Sequence, residues 1–145
     1  MFLKFLMTGM ISVAMIAPAT GKTITVEMKN KGAAGFMIFE PAFVQATVGD
    51  VITFVPTDPG HNAETIPGIL PDGVPPSAGA MNKIFTLRLT KDGLYGIECK
   101  PHFGMGMVAL VKVGRGKSSN AAKAMTAKLP PLAKKRMTTM LLTAN

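Results

Sequence analysis

Residues 98–107 read ECKPHFGMGM, and this stretch combines the chain's single cysteine with one of its two histidines. Cys99 ends one apolar run of strand type and Met107 begins another, which predicts a tight loop between adjacent strands. His102 lies inside that loop. Pro101 restricts the loop backbone, and the two later glycines permit the turns that return the chain to the next strand.

The loop offers a thiolate, an imidazole and a thioether, and a second imidazole follows the turn sequence Pro59-Gly60. Two histidines, one cysteine and a weakly bound methionine form the donor set of blue-copper electron-transfer sites. The candidate copper ligands are therefore His61, Cys99, His102 and Met107. Because this set leaves no coordination position open for a substrate, we expect an electron carrier and not an enzyme.

Each ligand candidate taken alone has a more ordinary interpretation. His61 alone would be a solvated loop residue, Cys99 a small buried apolar residue, and Met107 a core side chain. Their combination, with the spacing C-x₂-H-x₄-M between two strand patterns, favours the metal site. Met105 competes with Met107 for the axial position, and we prefer Met107. Glu98 is expected to be solvated and not a ligand.

Other functions compatible with these residues are weaker. A copper storage or delivery protein would favour open, methionine-rich sites, which the short loop argues against. A cysteine hydrolase would need a free nucleophile and a substrate cleft. Structural zinc is disfavoured because a thioether is a poor zinc ligand.

Seven segments between residues 22 and 113 have the alternating or β-branched pattern of strands. They are residues 24–28, 36–39, 43–48, 51–55, 85–89, 94–99 and 107–113. Short strands separated by glycine- and proline-containing turns predict an all-β sandwich or barrel of Greek-key type. A proline-containing irregular connection is expected over residues 66–79.

Beyond Gly114 the pattern becomes helical. One helix is expected to begin at a capping residue within 118–120 and to extend through Lys128, and Pro130-Pro131 then starts a second helix. The second helix has an apolar face that should pack on the sandwich, whereas residues 134–136, all basic, should point elsewhere. That face consists of Ala133, Met137, Met140, Leu141 and Ala144.

The N-terminus has the pattern of a secretory signal peptide. Residues 5–16 form an apolar run too short to span a bilayer, and Ala17-Pro18-Ala19 matches a cleavage site. We expect a signal peptide at 1–19, a β-sandwich with the copper site at 20–113 and a helical segment at 114–145. A lone cysteine in an exported protein has no internal disulfide partner, which favours a ligand role. No later stretch suits a membrane span.

The net charge of +8 is unevenly distributed. Residues 20–113 carry eight basic and eight acidic side chains, whereas residues from Gly114 onward carry seven basic side chains and no acidic one. The favoured interpretation is a solvated helix face, with a partner or membrane surface as the alternative. Nucleic acid is not expected as a partner, because the chain has no recognition motif.

The chain resembles the pseudoazurins, which are small periplasmic cupredoxins, over its whole length after residue 19. The matching motifs are NKGA at 30–33, FEPA at 39–42, GHN at 60–62, Cys99 with Pro101-His102, and MGMVAL at 105–110. The resemblance implies an eight-stranded Greek-key sandwich with two C-terminal helices, one type 1 copper and the same four ligands. It also implies that the amide of Asn62 bonds the Cys99 sulfur.

The resemblance further implies a periplasmic carrier whose partner is a copper-containing nitrite reductase. We expect transient docking at the His102 end, where the histidine ring should reach the surface, and a monomer, because a monomer suits a shuttle. Pseudoazurins dock through lysines around the copper, and here Pro59 and Glu98 stand where lysine is common. Lys31 and Lys100 remain, with Lys83 expected nearby. Another periplasmic dehydrogenase or oxidase is the alternative partner.

Overall fold

The computed structural model describes residues 20–144 as two four-stranded sheets and two C-terminal helices. The expected signal peptide at 1–19 lies outside the described residues. The strands are β1 (Thr23–Gly32), β2 (Gly35–Glu40), β3 (Phe43–Ala46), β4 (Val51–Pro56), β5 (Glu64–Thr65), β6 (Phe85–Arg88), β7 (Gly93–Glu98) and β8 (Val108–Val113). The predicted β-sandwich is therefore confirmed, and β5 is a short strand that the sequence pattern did not reveal.

The two sheets have the strand orders β2-β1-β4-β6 and β3-β8-β7-β5. In the first sheet β1 pairs antiparallel with β2 and parallel with β4. In the second, β8 pairs parallel with β3 and antiparallel with β7. The alternating apolar residues of β1 and β4 meet those of the opposite sheet in one core, which includes Phe39, Phe54 and Tyr95.

Pairing of β7 with β8 places the predicted ligand loop at one end of the sandwich. Glu98 lies opposite Val108 in the register, so the nine residues between them leave and return at the same edge. Two 3₁₀ turns fill the loop over Lys100–Met105, and Gly106 ends them in the left-handed conformation (φ 82°). A residue with a Cβ would be strained in that conformation, which explains the glycine at this position.

The C-terminal helices are α1 (Ala121–Thr126) and α2 (Pro131–Thr143). All five residues predicted for the apolar face of α2 are buried, in a second cluster with Leu94, Val108 and Leu110 of the sandwich. The expectation that residues 134–136 all point away is wrong, since Lys134 and Arg136 are half-buried and bond backbone carbonyls. No helix within residues 20–144 is long and apolar enough to cross a bilayer.

Asn120 precedes α1 but does not cap it through its side chain. Its Oδ1 accepts from the backbone N–H of Leu94 at 3.0 Å, and its Nδ2 donates to the Leu94 carbonyl at 2.9 Å. The buried amide thus completes the hydrogen bonding of β7 where a neighbouring strand would otherwise lie.

We predict that Asn120→Ala lowers the free energy of unfolding by about 2–4 kcal/mol, because it leaves two buried backbone groups without partners. Urea denaturation of the metal-free protein measures the change. Ser119→Ala, at the exposed neighbouring position, is the control and should change it by less than about 0.5 kcal/mol. Equal effects of the two variants would contradict the role of Asn120 in completing the hydrogen bonding of β7.

Candidate metal centre

The structure brings three of the predicted ligands together at the end of the sandwich. His61 Nδ1 lies 3.1 Å from His102 Nδ1, and Cys99 Sγ lies 3.6 Å and 3.5 Å from these two nitrogens. A triangle with these sides has a centre about 2.0 Å from each corner, close to the metal–nitrogen and metal–sulfur bond lengths of about 2.0–2.3 Å in protein sites. The three donors therefore fit a metal ion without rearrangement.

His61 is held in the orientation that such a site requires. It follows β4, is fully buried, and its Nε2 lies 2.8 Å from Asn30 Oδ1. Because the amide oxygen can only accept, the ring proton belongs on Nε2, which leaves the Nδ1 lone pair directed at Cys99 and His102. Burial is the main cause of the lowered pKa of His61, so its neutral form is favoured.

Cys99 is fully buried at the end of β7. Burial raises the pKa of its thiol, and hydrogen bonds from the backbone of Asn62 and His102 partly oppose the rise. Those bonds point donors at the sulfur, which is the arrangement that stabilises a thiolate once a cation balances its charge.

Met107 and Met105 differ sharply in their surroundings. Met107 is fully buried in the same apolar cluster as Cys99, whereas Met105 is 49% exposed. The Met107 N–H donates to the His102 carbonyl at 3.1 Å, and its own carbonyl accepts from the Cys99 N–H at 3.0 Å. This environment favours Met107 over Met105 as the axial donor.

Asn62 ties the His61 loop to the ligand loop. Its Oδ1 accepts from the Lys100 N–H at 2.8 Å, and its Nδ2 donates to the Gly79 carbonyl and to Glu64. The side chain thus cross-links two loops, while its backbone supplies the bond to the Cys99 sulfur.

The expectation that Glu98 is solvated is wrong. Glu98 is buried and lies opposite Glu64 in the β5–β7 pair, with Lys100 Nζ 3.7 Å from Glu98 and 3.5 Å from Glu64. Burial, together with the hydrogen bond and negative charge of Glu64, raises the pKa of Glu98 to about 7. Glu98 is not one of the three residues whose donor atoms cluster, and its exclusion from the copper ligands stays a prediction.

Sequence reasoning missed two residues that shape this centre. Asn30 belongs to a recognised motif, but no spacing rule links it to a histidine 31 positions later. Arg136 bonds the carbonyls of Gly106 and Met37 from α2, although its position in a basic run suggested a solvated side chain.

Comparison with known proteins shows that this chain is similar to copper-binding proteins. A family model for copper-binding proteins of the plastocyanin/azurin family matches residues 26–114. Pseudoazurin from Paracoccus pantotrophus is 53% identical over 124 residues, which cover 86% of this chain and 85% of that protein.

Solved structures show the same likeness. The crystal structure of pseudoazurin from Methylobacterium extorquens AM1 has a TM-score of 0.81 at 40% identity, covering 85% of this chain and 99% of that one. The structure of native pseudoazurin from Hyphomicrobium denitrificans has a TM-score of 0.78 at 43% identity, with coverages of 83% and 97%.

The Glu64–Glu98 pair makes stability depend on pH. The pKa of Glu98 is about 7 in the folded protein and 4.5 in its ordinary state, so the folded protein binds more protons between these values. The free energy of unfolding should therefore fall as the pH rises from about 4.5 to about 7. We predict that Glu98→Gln, in the metal-free protein, matches the wild type near pH 5 and exceeds it by roughly 1–3 kcal/mol at pH 8.

Urea denaturation at the two pH values measures this difference. Glu27→Gln is the matched control, because Lys29 lowers the pKa of Glu27 and the loss of that pairing should reduce stability at pH 8. A difference between Glu98→Gln and wild type that stays the same at both pH values would contradict the raised pKa of Glu98.

Proposed function

The chain belongs to the pseudoazurins, within the plastocyanin/azurin family of copper-binding proteins, and we propose that it carries single electrons through the periplasm to a copper-containing nitrite reductase. Members of this family are blue copper electron carriers and not enzymes. We propose that residues 1–19 direct export and are removed, and that the sandwich at 20–113 and the helical segment at 114–145 act as a monomer.

The observation that carries the proposal is the triangle formed by His61 Nδ1, His102 Nδ1 and Cys99 Sγ, with sides of 3.1–3.6 Å. We assign these atoms as the equatorial donors and Met107 as the weak axial donor. Bound copper would supply a one-electron couple between Cu(II) and Cu(I). The fixed orientations of His61 and Cys99 limit how far the donors move, and small rearrangement favours rapid electron transfer.

His102 is the residue through which we expect the electron to pass from the metal to a partner protein. It is the only donor of the three that is not fully buried. Exposed apolar residues surround this end of the molecule: Pro101 and Met105 lie on the same loop, and Met81 precedes Asn82, whose N–H bonds the His61 carbonyl. An apolar rim around a histidine loses water readily on brief contact with a partner, and small interfaces of this kind suit redox encounters.

The charges at this end favour a modest electrostatic attraction to an acidic partner. Lys31 is exposed above the Phe36 ring, and exposed Lys83 follows Asn82 beside the His61 loop. Lys100 contributes less, because Glu64 and Glu98 lie within 4 Å of its ammonium group. Lys31 and Lys83 are therefore the candidates for steering the encounter.

We predict an intense blue absorption that saturates at one copper per chain, disappears on reduction and returns on oxidation. Cys99→Ser should abolish the band, because the absorption comes from the bond between copper and the thiolate. Visible spectroscopy during copper titration measures both. Copper that is lost on each redox cycle would favour storage or delivery, and the absence of a blue band in the wild type would contradict the proposal.

The axial assignment has its own matched control in the same loop. Met107→Leu should keep the blue colour and change the reduction potential, whereas Met105→Leu at the exposed position should leave the potential unchanged. The reverse result would transfer the axial role to Met105.

We predict that the second-order rate of electron transfer to a copper-containing nitrite reductase falls several-fold as salt is raised. Lys31→Glu and Lys83→Glu should lower the rate at low salt, as measured by stopped-flow absorption of the blue band. Lys117→Glu is the control. It follows the far end of β8, a strand that spans about 20 Å, and it should have little effect.

A rate independent of salt and of Lys31 and Lys83 would contradict electrostatic docking at this end. Rapid transfer to another periplasmic oxidase or from a dehydrogenase, with none to nitrite reductase, would support the alternative partner.

A further inference from the structure

Arg136 connects helix α2 to two backbone segments, one beside Met107 in the ligand loop and one in β2. Its Nη1 donates to the Gly106 carbonyl at 2.8 Å and to the Met37 carbonyl at 3.1 Å, and its Nη2 donates to the Phe36 carbonyl at 3.2 Å. The side chain is half-buried, and within residues 20–144 it has no carboxylate in salt-bridge contact. All three of these hydrogen bonds from the guanidinium therefore go to backbone carbonyls.

The contact between α2 and Gly106 is so close that a shift of the helix would also move the Gly106 backbone. A Cβ at Gly106 would lie 2.7 Å from Leu132 Cγ and 3.2 Å from Arg136 Cδ, so α2 packs directly on this backbone. Gly106 immediately precedes Met107, and its carbonyl also accepts from the Val108 N–H at 3.0 Å. Any shift of Gly106 therefore shifts the residue that carries the proposed axial donor.

The same Nη1 of Arg136 also bonds a segment with an unusual backbone conformation. Met37 has φ 47°, a left-handed conformation that is strained for an L-residue and persists only where its surroundings hold it. Met37 packs against the apolar cluster that contains Cys99 and Met107. The bond from Arg136 to the Met37 carbonyl thus fixes a segment that packs on the cluster containing Cys99 and Met107.

An arginine suits this task better than a lysine. Its planar fork presents five donors in fixed directions and stays charged at all relevant pH values, so it can bond three carbonyls at once. A lysine ammonium has a single nitrogen, so it lacks the second donor group with which Arg136 reaches the Phe36 carbonyl and the fixed plane that directs both.

We propose that Arg136 is a positioning residue of the copper site, which braces Gly106 and Met37 against α2 and so fixes the location of the Met107 thioether. This inference rests on the proposed electron-carrier function. Without the brace the donors can relax toward the geometry that each oxidation state prefers. The rearrangement on electron transfer then becomes larger, and the relaxed Cu(II) site is stabilised.

The test compares Arg136→Gln and Arg136→Lys with Lys134→Gln in the copper-loaded full chain. Lys134 is the matched control, because it lies on the same helix and bonds the carbonyls of Met125 and Ala127, which belong to the C-terminal end of α1 and not to the ligand loop or β2. We expect both Arg136 variants to change the ratio of the two visible charge-transfer bands, to lower the reduction potential and to slow electron self-exchange several-fold. Lys134→Gln should lower thermal stability and leave all three unchanged.

A second readout does not need copper. In the metal-free proteins, the amide protons of Gly106 and Met107, which bond the carbonyls of Phe103 and His102, should exchange faster in the Arg136 variants and at the wild-type rate in Lys134→Gln. Failure of the wild type to turn blue would contradict the proposed function, and the brace would still be judged by this exchange.

Unchanged exchange, spectrum and potential in Arg136→Gln would overturn the inference. Arg136→Lys indistinguishable from wild type would also overturn it, since charge alone would then suffice. Equal effects of the Arg136 variants and Lys134→Gln would reduce the role of Arg136 to general helix stability.

Discussion

The backbone hydrogen bond from Cys99 to the Met107 carbonyl, at 3.0 Å, is the constraint on which the metal centre depends. It extends the β7–β8 ladder by one step and closes the loop that carries three of the four donors. Within that closed loop the His102 N–H bonds the Cys99 carbonyl, and the Met107 N–H bonds the His102 carbonyl. The pairing of β7 with β8 therefore also sets the spacing of the donors.

The rest of the centre is assembled around that loop from three other parts of the fold. The segment after β4 brings His61, and Asn30 at the end of β1 orients its ring. Asn62 cross-links the two loops through the Lys100 N–H. Helix α2 approaches from the outside, where Gly106 lacks a side chain and allows close packing. Each restraint acts on a different side, so the donors are held by the whole sandwich and not by the loop alone.

The sequence predicted those features that depend on short-range patterns. Alternation located seven of the eight strands, the spacing of cysteine, histidine and methionine identified the loop, and helical periodicity found the buried face of α2. Pairings between distant residues could not be predicted in this way. Three basic residues in succession look alike on a helix, and only the carbonyls facing Arg136 distinguish it from exposed Lys135. Glu98 was misjudged because β5, two residues long, gives too little pattern to reveal the strand that covers it.

The position of α2 in the chain has a consequence for the order of assembly. Arg136 contacts residues that lie 30, 99 and 100 positions earlier, and all eight strands precede it. A chain that emerges from its N-terminus can therefore pair its sheets and close the loop before the helix arrives. The last restraint on the metal centre is therefore added only after the chain has been synthesised past residue 136, so a chain truncated before α2 would keep the ligand loop without this support.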